Sequence, residues 1–439
     1  MEPYPSSELA IRVQNALRNS DPVLAETLCA DALRRDPGDV YALSYLSQFK
    51  VQQGQPDQAI ELALRASQIA PESAVIQQNL GLAMMAANRP REACRAFQKS
   101  TMLAPEDVLY AMFLALAEAE CGDREAACER LLLVYRSAPE LRQAWRNQKN
   151  PRPVREAARR ANQILHEQHA EKHQLILTRL QQQHGTNALR RVSDYLALFH
   201  GQTEPLLLHP LQRPSYQLFP GLCAEPFHAV SQFSWVRKLE AAWPAILNEY
   251  RQVRSGPQAP EPYVHTGDNT PESWSPLVEQ NAWNALHLYR RGHRQSSACE
   301  RCPKTARLLQ DLPQARYGET SPEAFFSTLQ PGAHIPPHYG LANIKLTVHL
   351  GLEIPQDCGI RVGLQTRHWE AGKALLFDDS FIHEAWNHGS RDRSVFIFEI
   401  WHPDLTSIEI DAIAQLAEVS VYFEARSNST AFANPSRQA

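Results

Sequence analysis

Two stretches decide how the C-terminal half of the chain folds: PPHYGLANIKLTVHLGLEIP (residues 336–355) and FDDSFIHEAWNH (residues 377–388). From Ile344, the apolar residues Ile344, Leu346, Val348, Leu350 and Leu352 alternate with Lys345, Thr347 and His349, which is the two-residue period of a β-strand. The apolar set asks for a core. A strand whose other face carries an ammonium, a hydroxyl and an imidazole in a row either faces solvent or lines a polar cavity, and His338 just upstream favours the cavity.

Working outward, AFFSTL (324–329), IRVGL (360–364), ALLFD (374–378) and SVFIFEIW (394–401) also read as strands, separated by Gly, Asp and Asn turn signals. Short strands without intervening helices predict an antiparallel barrel or double-sheet jelly roll with a ligand-binding mouth. Within it, His338 and His383 stand 45 positions apart. Two neutral imidazoles can hold a divalent transition metal and leave positions open for substrate and oxygen. Arg393 follows, and its planar fork suits a carboxylate. A histidine on a strand can equally be an ordinary core or surface residue, so spacing alone leaves both readings open.

The N-terminal third has a different period. Pro37, Pro71, Pro105 and Pro139 are each 34 residues apart, and Ala25, Ala59, Ala93 and Ala127 keep the same period. So do Leu46, Leu80 and Leu114, and the turn residues Gly54, Asn88 and Gly122. The pattern resembles the tetratricopeptide repeat, a stack of helix pairs in which each pair covers the face left open by its neighbour. Three full units are expected between Pro37 and Pro139, after a diverged pair over 8–35. Such arrays commonly engage a peptide or protein; bracing of the neighbouring domain or dimerisation is the other reading.

Residues 155–185 (REAARRANQILHEQHAEKHQLILTRLQQQHG) are polar and helical, with a narrow stripe of Ile164, Ile176, Leu177 and Leu180. A connecting helix is expected there, with His166, His169 and His173 on a solvated face. Near Thr203 prolines and aromatics become frequent, which marks a domain boundary, and a helix is expected over 233–253. The eight cysteines are scattered and read as reduced core thiols, including Cys299 and Cys302, which lack a second pair for zinc.

The net charge of −4 offers no basic surface for nucleic acid. There is no secretory start and no long apolar run, so no membrane insertion is expected and the chain reads as cytoplasmic.

Several motifs in order, FPGL (219–222), KLE (238–240), CPKT (302–305), PPHYGLANIKLTVHLGLEIP, WEAGKALLFDDSFIHEAW (369–386), Arg393 and IWHPDL (400–405), resemble the aspartyl/asparaginyl β-hydroxylase family of Fe(II)/2-oxoglutarate oxygenases. The resemblance implies a double-stranded β-helix in which His338 and His383 bind iron. It also implies that Arg393 and Ser327 hold the distal carboxylate of 2-oxoglutarate, and that His349 keeps this co-substrate near the metal. Gly340 stands where most related oxygenases have a carboxylate ligand, and this family likewise has glycine there. Asp378 and Asp379 read as partners for an imidazole or as plain turn residues. Lys345 and Thr347, on the substrate side, replace two arginines of well-studied members, which puts an acidic substrate in doubt.

The expected organisation is a repeat array (1–140), a helical linker (141–205), an oxygenase domain (206–405), and a C-terminal helix with a partly disordered tail (406–439). The resemblance implies a dioxygenase that consumes 2-oxoglutarate and O₂ to hydroxylate a side chain of a peptide or protein bound through the repeats. A small-molecule or lipid acyl substrate, or a scaffold with an inactive barrel, are the alternatives.

Overall fold

The computed structural model describes residues 8–254, 260–265, 272–318 and 321–424. It divides into two compact units, Met1–His169 and Ala170–Ala439.

Among the described residues, unit one begins with four consecutive helix pairs: α1 (Glu8–Arg18), α2 (Pro22–Arg35), α3 (Val40–Gln52), α4 (Pro56–Ile69), α5 (Ala74–Ala86), α6 (Pro90–Leu103), α7 (Val108–Glu120) and α8 (Arg124–Ser137). The 34-residue period has a local cause at each position. Ala25, Ala59, Ala93 and Ala127 are all fully buried, where helices cross too closely for a larger side chain. The prolines fall two residues past the ends of α2, α4, α6 and α8, where no helix continues. Gly54, Asn88 and Gly122 adopt positive φ (71°, 56° and 93°) in the turns between paired helices. Ser20 does the same at φ 58°, so the first pair keeps the repeat geometry that its sequence obscures. Gly81 packs against the Phe97 ring so closely that a methyl group would overlap it.

The helix α9 (Arg152–His184) corrects the linker expectation. Its first half buries Ala157, Ala158, Ala161, Ile164 and Leu165 in unit one. Its second half buries Leu177 and Leu180 in unit two, in a core with α10 (Arg190–Phe199) and the last helix. Residues 141–205 are therefore divided between the two units. His169 and His173 are also buried, only 7% and 2% exposed, which overturns the solvated face at those two positions, while His166 is exposed as expected. His173 Nδ1 lies 3.0 Å from His200 Nε2, and its Nε2 lies 3.1 Å from the Leu416 carbonyl.

Unit two is built on two antiparallel sheets. The helices are α11 (Val236–Ala241), α12 (Trp243–Arg254), α13 (Ser296–Arg301), α14 (Pro303–Gln310) and α15 (Ser407–Glu424). The strands are β1 (Phe227–His228), β2 (Glu261–Pro262), β3 (Trp283–Arg290), β4 (His293–Arg294), β5 (Ala324–Leu329), β6 (His334–His338), β7 (Lys345–Glu353), β8 (Cys358–Val362), β9 (Gln365–Arg367), β10 (Ala374–Phe377), β11 (His383–Asn387) and β12 (Arg393–Trp401). The large sheet runs β1-β10-β7-β12-β5-β3-β2, with β4 on β3; the small one runs β6-β11-β8-β9. This is the double-sheet jelly roll that the strand pattern predicts.

Both faces of the large sheet are covered, which explains why β12 reads as an almost continuous apolar run. Leu346, Val348, Leu350, Phe396 and Phe398 pack outward against α11, α12 and α14, beside Leu239, Leu247 and Leu309. Phe325, Phe377, Val395 and Ile397 pack inward against Ile335, Ile360, Val362 and Ala385 of the small sheet. The helix expected over 233–253 is two helices, because Pro244 supplies no N–H and its ring collides with the carbonyl one turn back. Leu364, expected in a strand, lies after β8 in the turn to β9 and is 86% exposed. Cys299 and Cys302 are buried free thiols, Cys299 Sγ lying 3.3 Å from the Leu288 carbonyl. The expected disordered tail, after Glu424, lies outside the described residues.

Candidate metal and co-substrate site

His338 is the last residue of β6 and His383 the first of β11, and antiparallel pairing sets them directly opposite each other. Their ring centroids are 4.0 Å apart. Each ring is oriented by its own backbone: His338 Nδ1 lies 2.8 Å from the Pro336 carbonyl and His383 Nδ1 lies 2.9 Å from the Phe381 carbonyl. A carbonyl only accepts, so Nδ1 carries the proton in both rings and each Nε2 keeps its lone pair. Burial also favours neutrality. It holds His338 well below the usual imidazole range, aided by the neighbouring His383, and pushes His383 down to about 4.

Gly340 lies beside this pair. Its amide donates to the Asp379 carbonyl at 2.7 Å, and a methyl group on it would collide with the Asp379 carboxyl group. Glycine is required here because a carboxylate from β11's leading turn already fills the space. Thr347 hydrogen-bonds that carboxylate, while Asp379 Oδ1 is buried without a hydrogen-bond partner. Asp378 has a different role. It accepts from Gln212 Nε2 at 2.7 Å and from the Ser380 amide at 2.9 Å, and burial raises its carboxyl to about 7. Around it, residues 211–217 strap both histidine loops: Ile382 N donates to Leu211 O, Arg213 N to Ser380 O and Ser215 N to Gly340 O, at 2.9–3.0 Å.

The inner face of the large sheet supplies the other end of the site. Arg393 begins β12 and is 1% exposed. Its guanidinium lies 4.6 Å over the Trp369 ring, and Nε and Nη1 have no hydrogen-bond partner. Burial lowers its pKa to about 10, so it stays charged near neutrality. Ser327 of β5 lies two residues along the ladder on the same face, opposite Val395, and accepts from Trp283 Nε1 at 3.0 Å, which leaves its own hydroxyl proton to donate. His349 Nδ1 accepts from Trp369 Nε1 at 3.2 Å, which puts its proton on Nε2. Burial, with Arg393 and His383 close by, holds it well below the usual range.

The structure thus places five of the seven residues singled out in the sequence, His338, His383, His349, Arg393 and Ser327, with donors and acceptors free. Lys345 and Thr347 share the inner face with His349, but neither is free. The Lys345 ammonium is bonded to Glu399 of β12. Burial opposes this charge, but Glu399, Tyr317 and Asp379 together outweigh it and raise the lysine's pKa. Sequence reasoning did not single out Glu399, Trp369 or the 211–217 strap. The alternation of β12 places Glu399 opposite Thr347 and could have exposed the first; the strap has no periodicity to read.

The donor set fits a divalent metal held by two imidazoles. The unpartnered guanidinium beside Ser327 fits a carboxylate co-substrate, since a buried cation left without a partner is costly unless a ligand supplies one.

Comparison with known proteins finds relatives of both halves of the chain. Residues 240–403 match the family model Aspartyl/Asparaginyl beta-hydroxylase, and residues 16–78 and 51–117 match Tetratricopeptide repeat. The chain is 36% identical over 199 residues to the human aspartyl/asparaginyl beta-hydroxylase, covering 44% of this chain and 25% of that one. It is 36% identical over 210 residues to human aspartate beta-hydroxylase domain-containing protein 1 (46% and 51%). It is 32% identical over 208 residues to domain-containing protein 2 from Xenopus tropicalis (46% and 54%). The chain thus spans between a quarter and just over half of the length of these relatives. Among the described residues, no helix is long and apolar enough to cross a membrane.

Proposed function

We propose, for a chain whose residues 240–403 match the aspartyl/asparaginyl β-hydroxylase family model and whose residues 16–117 match tetratricopeptide repeats, an Fe(II)- and 2-oxoglutarate-dependent dioxygenase. It hydroxylates a side chain of a peptide or protein, and the repeats engage that partner. The observation that carries this reading is the pairing of two lone-pair-bearing Nε2 atoms with an unpartnered buried guanidinium on the facing sheet.

His338 and His383 would hold iron, and the chemistry a bound iron supplies is the coupling of 2-oxoglutarate decarboxylation to insertion of one oxygen atom from O₂ into a C–H bond. The chain's own residues bind, orient and cover. Arg393 and Ser327 take the distal carboxylate, the fork giving two directed hydrogen bonds and Ser327 a third. Trp369 braces both Arg393 and His349, fixing the co-substrate end against rotation. His349 presents Nε2–H as a donor. Trp274, 5.1 Å from the His338 ring, and Phe377, 5.8 Å from the His383 ring, cover one side of each imidazole. Stacked helix pairs offer an extended surface suited to a peptide chain.

The test is anaerobic titration of purified protein with Fe(II) and 2-oxoglutarate, followed by admission of air and measurement of succinate. Binding of both and succinate formation are expected. Metal binding that survives His338→Ala combined with His383→Ala refutes the site.

A further inference from the structure

We infer that the pocket beside the histidine pair takes an uncharged side chain that donates hydrogen bonds, a carboxamide being the simplest, and turns away a carboxylate. This rests on the reading of His338 and His383 as the metal ligands, and names the substrate class for that site.

The cationic group on the substrate side is already neutralised. Lys345, Thr347 and His349 line the inner face of β7, and all three are buried. The Lys345 ammonium is bonded to Glu399, whose second oxygen lies 3.1 Å from Ser321 Oγ. The Asp379 carboxylate attracts the same ammonium through space and is hydrogen-bonded by Thr347, two residues along the same face of β7. One ammonium therefore answers to two carboxylates, bonded to Glu399 and attracted by Asp379. An incoming carboxylate has two choices. It can strip Lys345 from Glu399, leaving that carboxylate buried and unpaired, or it can stand unpaired beside two anions. Both arrangements bury an uncompensated charge.

A carboxamide meets no such obstacle. Its NH₂ can donate to Asp379 Oδ1, which is buried and lacks a hydrogen-bond partner. Its carbonyl can accept one of the ammonium protons that Glu399 leaves free, since lysine carries three. The existing ion pair stays intact. The position of Asp379 beside Gly340 puts this acceptor next to the histidine pair, where a side chain must lie to be oxidised.

The experiment uses the full chain with Fe(II), 2-oxoglutarate and air. Two random-sequence peptide libraries, one with a fixed central asparagine and one with a fixed central aspartate, are read by mass spectrometry for one added oxygen atom at that residue. The asparagine library should be favoured on the order of a hundredfold, because a site with fixed hydrogen-bond partners discriminates strongly against a group that leaves them unpaired. Glu399→Gln frees the ammonium and should cut that bias about tenfold by raising the aspartate product. Equal response to the two libraries, whether both react or neither does, overturns the inference, as does an unchanged bias in a folded Glu399→Gln protein. The comparison on the unaltered protein stands whether or not the variant folds. Succinate formed without peptide reports separately on the oxygenase. Its absence defeats the proposed function, whereas its presence with no asparagine preference defeats only the substrate class.

Discussion

Arg393 and Lys345 are both buried cations on the inner face of one sheet, yet they are treated in opposite ways. The guanidinium has only an aromatic ring beneath it and two nitrogens without a hydrogen-bond partner. The ammonium is tied to Glu399. An unpaired buried charge lowers the stability of the ligand-free fold, so a fold that keeps one keeps it ready for an external anion. A paired one is satisfied internally and offers little attraction to a further anion. The contrast separates a co-substrate end that waits for a carboxylate from a substrate end that does not.

The largest expected effect removes the point where both ends converge. His338→Ala with His383→Ala should abolish Fe(II) binding, measured by anaerobic titration, and with it all succinate formation. Retained metal would place the centre elsewhere and dissolve the comparison.

Next, Arg393→Met should weaken 2-oxoglutarate by about 2–5 kcal/mol, the typical cost of truncating one member of a buried charge pair. Fe(II) affinity should hold. In the ligand-free protein the same change removes an unpaired buried cation, so urea unfolding should show equal or greater stability. Parallel loss of iron and co-substrate would instead indicate a general collapse.

Lys345→Met should act with the opposite sign on the free protein. It strands Glu399 in the core and should cost about 3–5 kcal/mol. Adding Glu399→Leu should recover much of the loss. If Lys345→Met leaves the urea midpoint unchanged, the two cations are equivalent and the contrast fails.

The smallest effect extends the rule to a group kept neutral instead of paired. Burial pushes His173 from 6.5 down to about 4. A lowered histidine pKa means that the unfolded chain binds the proton first, so this contribution is fully present above pH 6.5. It is lost as pH falls toward about 4. His173 should contribute about 2 kcal/mol of the drop in unfolding free energy between neutrality and about pH 5, since each tenfold difference in proton affinity between the folded and unfolded chain is worth ~1.4 kcal/mol. His173→Phe should reduce the pH dependence by that amount while the other buried histidines keep theirs, and an unchanged slope would remove His173 as a contributor.

Much of this was legible in the sequence because it depends on short-range geometry. A 34-residue period specifies helix pairs, since crossing alanines, turn residues with positive φ and terminating prolines each act within a few residues. Alternation along β7 assigned every side chain to a face, and the row of polar residues lies on the inner, buried face. The failures share a physical cause. A polar helix around His173 reads as solvated until α10 and α15 cover it. A lysine reads as available until a strand 54 residues away brings a carboxylate to it.

By itself, the sequence determined the repeat array, the antiparallel strands and the identity of the histidine pair, because backbone preference and hydrophobic period act locally. Tertiary structure alone decided which charges are free. Strand register set Glu399 within reach of Lys345 and left Arg393 over Trp369 without a carboxylate, and the Coulomb energy of a buried ion depends on which groups share its cavity.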